Sequence, residues 1–317
     1  MEYTEFMKKI FKFLVLIIIL IIAVGWFLLK DNPDNFIAYE NQIAQMDSFE
    51  TGNGTMRYVD TGSGQPILLI HGVPTSSWMY RNLTIELVDA GYRVIAPDLM
   101  GFGVSDRMAE YDMYDFDQQS DKVLDLMNHL GISNWEQVTH DMGGLVTWHM
   151  VKDAPENISH LYILNTILYK DTFLPPVDFN YNNPLHRFIL NIYAHPRIGK
   201  LMLAGFLVSG TNGHHFEAHE KAGYWLPLRA GADGLTHFFT NTKEIKANID
   251  EYRSWLVNSN VPVSIIWGEN DSFLGSESVR LLQKEMNLSE DDVLILENKK
   301  HLIVEESYKE IVEFISN

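Results

Sequence analysis

Residues 135–144 read WEQVTHDMGG, and this stretch decides the fold because it joins a strand to a helix through a very short turn. The pattern predicts a strand that ends at Thr139 and a helix over residues 142–152. A turn this tight needs small residues two positions before and two positions after its apex, where Thr139 and Gly143 stand. Asp141 occupies the apex and faces the positive N-terminus of the helix.

Asp141 has two interpretations at this stage. In the first, the turn is a nucleophile elbow that holds the carboxylate above the sheet as an attacking group. In the second, Asp141 is an N-cap residue that accepts a hydrogen bond from the start of an ordinary helix. The turn alone leaves both interpretations open, so the neighbouring strand ends have to distinguish between them.

The segments on either side alternate between strands and helices. The run ILLI at residues 67–70 is continuously apolar, which is typical of a strand buried on both faces of a parallel sheet. Helices are predicted at residues 77–90 and 118–130 from the spacing of their apolar positions. Repeated strand–helix units predict an α/β fold with a mostly parallel, doubly wound sheet. Further strands are predicted at residues 56–59, 93–96, 161–164, 261–267 and 293–296.

Residues 168–241 interrupt this alternation. They contain no clear strand, but they include a helical run at residues 188–206. A segment this long inside an alternating fold predicts an inserted helical cap rather than a loop. The chain is therefore divided into an N-terminal segment (1–30), a first core part (31–167), the cap (168–241) and a second core part (242–317).

The strand at residues 67–70 ends in a sequence that is suited to binding an oxyanion. It is followed by His71-Gly72-Val73-Pro74, and the glycine allows the chain to turn so that the next amide points inward. Backbone amides that converge on one point stabilise a developing negative charge. We therefore predict an oxyanion hole formed by the backbone amides of Val73 and Met142.

Two titratable residues follow later strands. Asp271 comes after the strand at 261–267, and His301 comes after the strand at 293–296. With Asp141, they stand in the chain order nucleophile, acid, histidine, which is the order of α/β-hydrolase triads. Parallel strands place their carboxyl ends at one edge of the sheet, so these side chains are expected to meet there. The agreement between this chain order and that of the triads favours Asp141 as a nucleophile over Asp141 as an N-cap residue.

From about residue 54 to the C-terminus, the chain resembles an α/β-hydrolase. Within that superfamily it resembles the aspartate-nucleophile group, which includes haloalkane dehalogenases and epoxide hydrolases. Besides the elbow, three stretches carry the resemblance: HGVPTSS at 71–77 with Tyr80-Arg81 after it, APDLMGFGVSD at 96–106, and YWLPL at 224–228. The resemblance implies an α/β-hydrolase fold with a helical cap over the active site.

The chain departs from the dehalogenase pattern in the groups that would hold a leaving halide. Dehalogenases usually carry Trp directly after the nucleophile, where this chain has Met142, whose thioether donates no hydrogen bond. A second donor is often Asn after the His-Gly pair, where this chain has Val73, or a Trp in the cap. Trp225 is the only tryptophan in the cap and is therefore a candidate substrate-binding residue.

The chain also departs from the epoxide hydrolase pattern. Those enzymes use two cap tyrosines to protonate the opening ring, and the stretch that resembles the site of one of them has Phe238 instead. The remaining phenols of the cap are the other candidates for substrate binding. They are Tyr169, Tyr181, Tyr193 and Tyr224.

Composition excludes several classes of partner and cofactor. The chain has 24 Lys and Arg against 42 Asp and Glu, for a net charge of −18. This charge argues against nucleic-acid binding and against electrostatic binding of the folded domain to anionic lipid. It has no cysteine, which excludes thiolate nucleophiles and Fe–S clusters. His215 and His219 have the spacing of metal ligands on a helix, but no third ligand is identifiable. We therefore predict no metal and no cofactor.

The first thirty residues differ from the rest. Residues 13–29 (FLVLIIILIIAVGWFLL) carry no charge and, with residues 11 and 12, are long enough to span a bilayer as a helix. Lys8, Lys9 and Lys12 lie on or before this run and only Lys30 closely follows it. The positive-inside rule then predicts a single-pass anchor with a cytoplasmic N-terminus and the catalytic domain on the opposite side.

A cleaved signal peptide is the alternative to an anchor. Ala23-Val24-Gly25 has the small-x-small pattern of a cleavage site. The apolar run continues past it through residues 26–29, which favours the uncleaved anchor.

These observations lead to one expected activity and two alternatives. We expect a membrane-anchored hydrolase in which Asp141 forms an alkyl-enzyme ester and His301, oriented by Asp271, activates water against it. Dehalogenase-like hydrolysis of a small hydrophobic alkyl substrate is favoured, with epoxide hydrolysis as the first alternative. The second alternative is a non-catalytic binding module with the same fold. The expected partners are the small substrate and a lipid bilayer contacted through residues 11–29.

Overall fold

The structure is a computed structural model that describes residues 15, 32–108, 110–173, 179–180, 183–193 and 195–317. Within this part, eight strands form one sheet in the order β1-β2-β4-β3-β5-β6-β7-β8. The first two pairings are antiparallel, and every pairing from β4 onward is parallel. The strands are β1 Asp47–Glu50, β2 Thr55–Gly62, β3 Gln65–Ile70, β4 Tyr92–Pro97, β5 Trp135–Asp141, β6 Ile158–Thr166, β7 Val263–Gly268 and β8 Val293–Leu296.

Eleven α-helices surround this sheet in the described part of the chain. Eight of them precede β7 in the chain: α1 Ile37–Gln45, α2 Arg81–Asp89, α3 Phe116–His129, α4 Gly143–Asp153, α5 Pro184–Tyr193, α6 Pro196–Gly210, α7 Ala218–Trp225 and α8 Asp233–Val257. The remaining three follow β7 and β8. They are α9 Glu277–Met286, α10 Ile303–Glu306 and α11 Tyr308–Ile315.

The central strands are buried on both faces. Residues 67–70 of β3 are fully buried, and β5 and β7 are buried along nearly their whole length. Helix α4, which follows the elbow, is buried from residue 143 to residue 151. This double burial explains why the strands are continuously apolar instead of alternating between apolar and polar residues.

The predicted α/β fold with a mostly parallel sheet is confirmed. The prediction missed β1, a short polar strand at the sheet edge, and merged a 3₁₀ turn at Ser77–Tyr80 with α2. The helical run predicted at residues 188–206 is two helices, α5 and α6. The predicted cap boundary at residue 241 falls inside α8, which continues without a break to Val257.

The predicted membrane span at residues 11–29 lies outside the described residues, apart from residue 15. A search of the described residues found no helix that is both long enough and apolar enough to cross a bilayer.

A buried ion cluster joins the cap to the core. The guanidinium of Arg81, at the start of α2, donates to Glu305 of α10 at 2.8 Å and to Glu220 of the cap helix α7 at 2.9 Å. The hydroxyl of Tyr224, also on α7, donates to Glu305. The side chain of Glu305 is fully buried, so its charge depends on these donors for solvation.

We predict that Arg81→Met lowers the free energy of unfolding by about 3–5 kcal/mol, because it leaves the buried carboxylate of Glu305 without its cation. Arg280→Met is the matched control, since Arg280 pairs with Glu277 at 2.8 Å but both side chains are more than 60% exposed. The control is expected to cost less than about 1 kcal/mol. Urea unfolding followed by tryptophan fluorescence measures both, and equal losses would show that the cluster does not stabilise the fold.

Candidate active site

The turn after β5 has the geometry that its small residues predict. Asp141 adopts a left-handed backbone conformation with φ of 53°. A Cβ on Gly143 would come within 2.5 Å of the carbonyl oxygen of Ile70, so only glycine fits at this position. The hydroxyl of Thr166, at the end of β6, donates to the carbonyl oxygen of Asp141 at 2.6 Å. The turn is therefore fixed from both neighbouring strands.

One carboxylate oxygen of Asp141 is held by backbone amides. The amide of Val73 donates to Oδ1 at 2.7 Å, and the amide of Met142 also binds this carboxylate. Gly72 makes the approach possible, because a Cβ there would lie 2.4 Å from Oδ1. The two amides that the sequence predicted as an oxyanion hole thus converge on Asp141.

The other carboxylate oxygen faces His301. The Nε2 atom of His301 lies 3.6 Å from Oδ2 of Asp141, and its Nδ1 atom lies 2.9 Å from Oδ2 of Asp271. All three side chains are buried, and His301 is only 1% exposed. The structure therefore brings together the three residues that the sequence singled out, although they come from the ends of three different strands.

Asp271 is itself held in place by several donors. The side-chain amide of Asn165, at the end of β6, donates to Oδ2 at 2.6 Å, and the Oδ1 atom of Asn165 accepts the amide of Gly268 at 3.0 Å. The amides of Phe273 and Leu274 donate to the other oxygen of Asp271 at 2.8 and 3.1 Å. With its lone pairs occupied in this way, Asp271 has one orientation toward His301.

The electrostatics of these groups follow from burial and from their partners. Burial lowers the pKa of His301, but the carboxylates of Asp271 and Asp141 outweigh burial and raise this pKa above its ordinary value. Burial raises the pKa of Asp271, yet His301 and the donated hydrogen bonds bring it below its ordinary value. Burial raises the pKa of Asp141, and the amides and His301 only partly oppose that shift. Asp141 is thus a poorly solvated carboxylate.

Two further histidines near the site are neutral. Burial lowers the pKa of His140 to about 3, and the ring of His140 lies 4.6 Å from that of His301. The Nε2 atom of His71 accepts the amide of Leu99 at 3.0 Å, so Nδ1 carries the proton and donates to the carbonyl of Gly72 at 2.9 Å. His71 therefore fixes the turn that carries the amide of Val73.

Asp141 and His301 open into a cavity of about 280 Å³. Among the described residues that line it, Asp141, His301 and Ser209 are the only ones with polar side chains. The hydroxyl of Ser209 donates to a carbonyl oxygen of its own helix, that of Gly205 at 2.9 Å. The rest of the lining is apolar and includes Phe173, Met202, Leu203, Phe206, Leu228, Leu235, Phe238, Phe239, Phe273 and Leu274.

The predicted substrate-binding residues that the structure describes do not line this cavity. The hydroxyl of Tyr169 donates to Glu285 at 2.7 Å near the surface. Its ring packs under the guanidinium of Arg253. Tyr224 is buried against Glu305 in the ion cluster. Each of these two phenols is thus engaged outside the cavity lining, and their role in substrate binding stays a prediction.

Trp225 was also predicted to bind substrate, and it too lies away from the cavity lining. Its ring packs edge-on against Phe36 at 6.5 Å, and the ammonium of Lys200 lies over it at 3.8 Å. The role of Trp225 is therefore to pack the N-terminal part of the fold against the cap. Tyr181 and the side chain of Tyr193 lie outside the described residues.

Two features of the site were not predicted from the sequence. Asn165 was not singled out, although a polar residue directly after the predicted strand at 161–164 was the available signal. The apolar lining was also missed as a set, because its residues come from the cap, from α8 and from the loop after β7. Phe238, noted only as a replacement for tyrosine, does line the cavity.

The pair His215 and His219 does not form a metal centre with a third ligand. The side chain of His215 is 82% exposed and faces Glu217 at 3.7 Å. Across the described residues, no group of three or more His, Asp or Glu side chains has the arrangement of metal ligands.

Comparison with known proteins places this geometry in a family. Residues 65–308 match the sequence profile described as alpha/beta hydrolase fold. The chain is 28% identical over 265 residues to a haloalkane dehalogenase of Mycolicibacterium paratuberculosis, covering 80% of this chain and 83% of that one.

Two solved structures show the same fold. One is the haloalkane dehalogenase DbeA from Bradyrhizobium elkani, with a TM-score of 0.67, 21% identity, and coverage of 86% of this chain and 96% of that one. The other is the epoxide hydrolase CorEH, with a TM-score of 0.64, 21% identity, and coverage of 85% and 96%. The resemblance seen in the sequence is thus confirmed. The chain belongs to the α/β-hydrolase fold family, and it is a hydrolase similar to the haloalkane dehalogenases and epoxide hydrolases within it.

Proposed function

We propose that this hydrolase acts through Asp141 as a nucleophile and hydrolyses small hydrophobic alkyl halides by way of an alkyl-enzyme ester. The observation that carries the proposal is the unequal environment of the two carboxylate oxygens. Oδ1 accepts the amide of Val73 at 2.7 Å, whereas Oδ2 faces the cavity beside His301. A catalytic carboxylate needs this division, because one oxygen attacks while the other is held for the second step.

In the first step, Oδ2 of Asp141 attacks the carbon that bears the leaving group. The new C–O bond forms as the carbon–halogen bond breaks, and the halide leaves with the bonding electron pair. Burial supports this step, because a poorly solvated carboxylate is more nucleophilic than one surrounded by water.

In the second step, water attacks the carboxyl carbon of the ester. His301 takes the proton from that water through Nε2, and its Nδ1 proton is held by Asp271. The negative charge that develops on Oδ1 is stabilised by the amides of Val73 and Met142. Collapse of this intermediate breaks the bond between the carboxyl carbon and the alkyl-bearing oxygen, and His301 returns its proton to that departing oxygen, so that the alcohol leaves. The carboxylic acid left on Asp141 then loses its proton to solvent, which restores the carboxylate.

The cavity supports an alkyl halide over an epoxide or an ester. Its described side chains offer almost no donor to protonate a leaving oxygen, and Phe238 stands where the resemblance expects a tyrosine. A halide leaves without a proton. The five phenylalanines of the lining can turn their ring edges, which carry the positive end of the aromatic quadrupole, toward a departing halide. The likeness to mycobacterial haloalkane dehalogenases supports the same substrate class.

We also propose that residues 11–29 anchor the protein in a membrane, with the catalytic domain on the side opposite the cytoplasm. The support is the uncharged run at residues 13–29 and the excess of lysines on or before it. The anchor would keep the enzyme where hydrophobic substrates concentrate.

His301→Gln is expected to accumulate the alkyl ester, because the variant keeps the nucleophile but loses the base. Loss of a general base slows hydrolysis by about 10²–10⁴-fold. Intact mass spectrometry after incubation with 1-bromohexane should show one added hexyl group, on the peptide that contains Asp141. Asp141→Ala in the same background should show none, and an adduct on any other peptide contradicts the mechanism.

His301 must be neutral to act as a base, and its pKa is raised above the ordinary histidine value of 6.5. The midpoint of the acid limb of the pH–rate profile is therefore expected above pH 6.5. Asp271→Asn removes the main charge that raises this pKa, so the limb should move to lower pH while kcat falls. Asp250→Asn is the matched control, because this carboxylate is 74% exposed and remote from the site. If the acid limb of Asp271→Asn stays at the wild-type pH, Asp271 does not raise the pKa of His301.

A panel of 1-bromohexane, 1-chlorohexane, 1,2-epoxyhexane and p-nitrophenyl butyrate tests the substrate class. We expect halide release, faster for bromide than for chloride, because bromide needs less stabilisation as it leaves. Diol formation without halide release would identify an epoxide hydrolase. Ester cleavage without alkyl turnover would contradict the assignment of Asp141, and no turnover at all would favour a binding module.

A further inference from the structure

The outward surface of the two cap helices α5 and α6 is apolar. On α6, Ile198, Leu201, Gly205 and Val208 are exposed and follow one another at helical spacing, so they form a single stripe. The side chain of Val208 is 75% exposed and that of Leu201 is 55% exposed. A helix on a water-facing surface normally carries polar residues on its outer side. Leu185 and Phe188 of α5 are each 61% exposed as well, and we call the exposed apolar residues of the two helices together the outer cap face.

The opposite side of α6 lines the active-site cavity. Met202, Leu203 and Phe206 face the cavity, and they alternate along the helix with the residues of the exposed stripe. A single helix thus separates the bound substrate from whatever covers the outer cap face. A hydrophobic molecule held outside this helix would need to pass only one layer of side chains to reach Asp141.

The charge of this region differs from that of the rest of the chain. Residues 179–216 contain no Asp or Glu, although a proportionate share of the 42 acidic residues would be about five. The same stretch contains Arg187, Arg197 and Lys200. The net charge of −18 therefore lies elsewhere on the protein, and it does not oppose contact of this region with anionic headgroups. An apolar helix face in a stretch that has basic but no acidic residues is typical of helices that lie in a membrane interface.

The chain also enters the fold beside this face. The apolar run ends at residue 29, and the described structure resumes at Asn32. Four residues later, Phe36 packs against Trp225 of α7, and Lys200 of α6 lies over the same tryptophan. Lys200 directly precedes Leu201 of the exposed stripe. A bilayer that held residues 11–29 would therefore lie close to the outer cap face.

We propose that the outer cap face rests on the surface of a lipid bilayer and admits hydrophobic substrates from the lipid into the cavity. This inference rests on the membrane anchor under the proposed function, and it adds the orientation of the domain and the source of the substrate. The cap lies toward the membrane, and the parallel sheet lies above it.

The absence of cysteine makes a site-specific test direct. Phe188→Cys, Leu201→Cys and Val208→Cys, each labelled with the fluorophore NBD, are compared in the full-length protein in vesicles of phosphatidylcholine and phosphatidylglycerol. Ile85→Cys is the matched control, because Ile85 is 60% exposed but lies on α2 of the core. We expect nitroxide-labelled lipid to quench the three cap labels and to leave the Ile85 label unaffected.

Two results would overturn the docking. In the first, the cap labels are as open to an aqueous quencher as the label at residue 85. In the second, they are shielded from both quenchers and cross-link to each other, which would assign the face to a second copy of the chain. Full-length protein that washes off the vesicles at high salt would overturn the anchor, and the docking with it.

A second measurement separates docking from the chemistry. Leu201→Glu combined with Val208→Glu is expected to lower turnover of vesicle-dissolved 1-bromohexadecane by roughly fivefold or more, since charge opposes burial in the interface. Turnover of water-soluble 1-bromobutane should stay the same, as should both activities in Ile85→Glu. Equal loss on both substrates contradicts a role in access. If even the wild type turns over neither substrate, the proposed hydrolysis fails, and the fluorescence result alone decides the docking.

Discussion

The hydrogen bond from the amide of Val73 to Asp141 is the constraint on which the rest of the site depends. To make it, two loops approach so closely that neither Gly72 nor Gly143 has space for a Cβ. Asp141 also adopts a left-handed conformation, which costs a residue other than glycine about 1–3 kcal/mol. The bond from Thr166 and the buried strands on either side offset that cost. In this conformation the carboxylate lines the cavity while the amides of Val73 and Met142 hold it.

The parallel sheet explains how residues far apart in the chain meet at this carboxylate. β3, β5, β6 and β7 are adjacent, and their carboxyl ends supply the amide of Val73, the carboxylate of Asp141, the amide of Asn165 and, after a short loop, Asp271. β8 is the edge strand beyond β7, and the loop after it returns His301 to the centre. His301 is therefore held in place by its contacts with Asp271 and with His140 of β5.

The sequence predicted the parts of this site that depend on local geometry. A tight turn restricts the residues beside Asp141 to small ones, and chain order then indicates the positions of Asp271 and His301. The edge strand β1 was missed because three of its four residues are polar and it pairs on one side only, with β2. The position of Tyr224 could not be predicted from the sequence, because a phenol can serve a cavity or a salt-bridge cluster, and only the packing of Arg81 and Glu305 shows that Tyr224 belongs to the cluster.

The apolar lining and the elevated pKa of Asp141 have a common physical origin. A cavity without donors solvates a carboxylate poorly, which raises its pKa and strengthens it as a nucleophile. The same lack of donors means that a departing oxygen anion would have no proton source, which favours the proposed leaving group, a halide that is stable as an anion. Under the proposed function, carboxylate attack and a weakly basic leaving group would therefore both follow from one environment. The cap helices that create this environment also present an apolar outer surface, so under the proposed docking the same apolar helices would both line the reaction cavity and face the lipid that supplies the substrate.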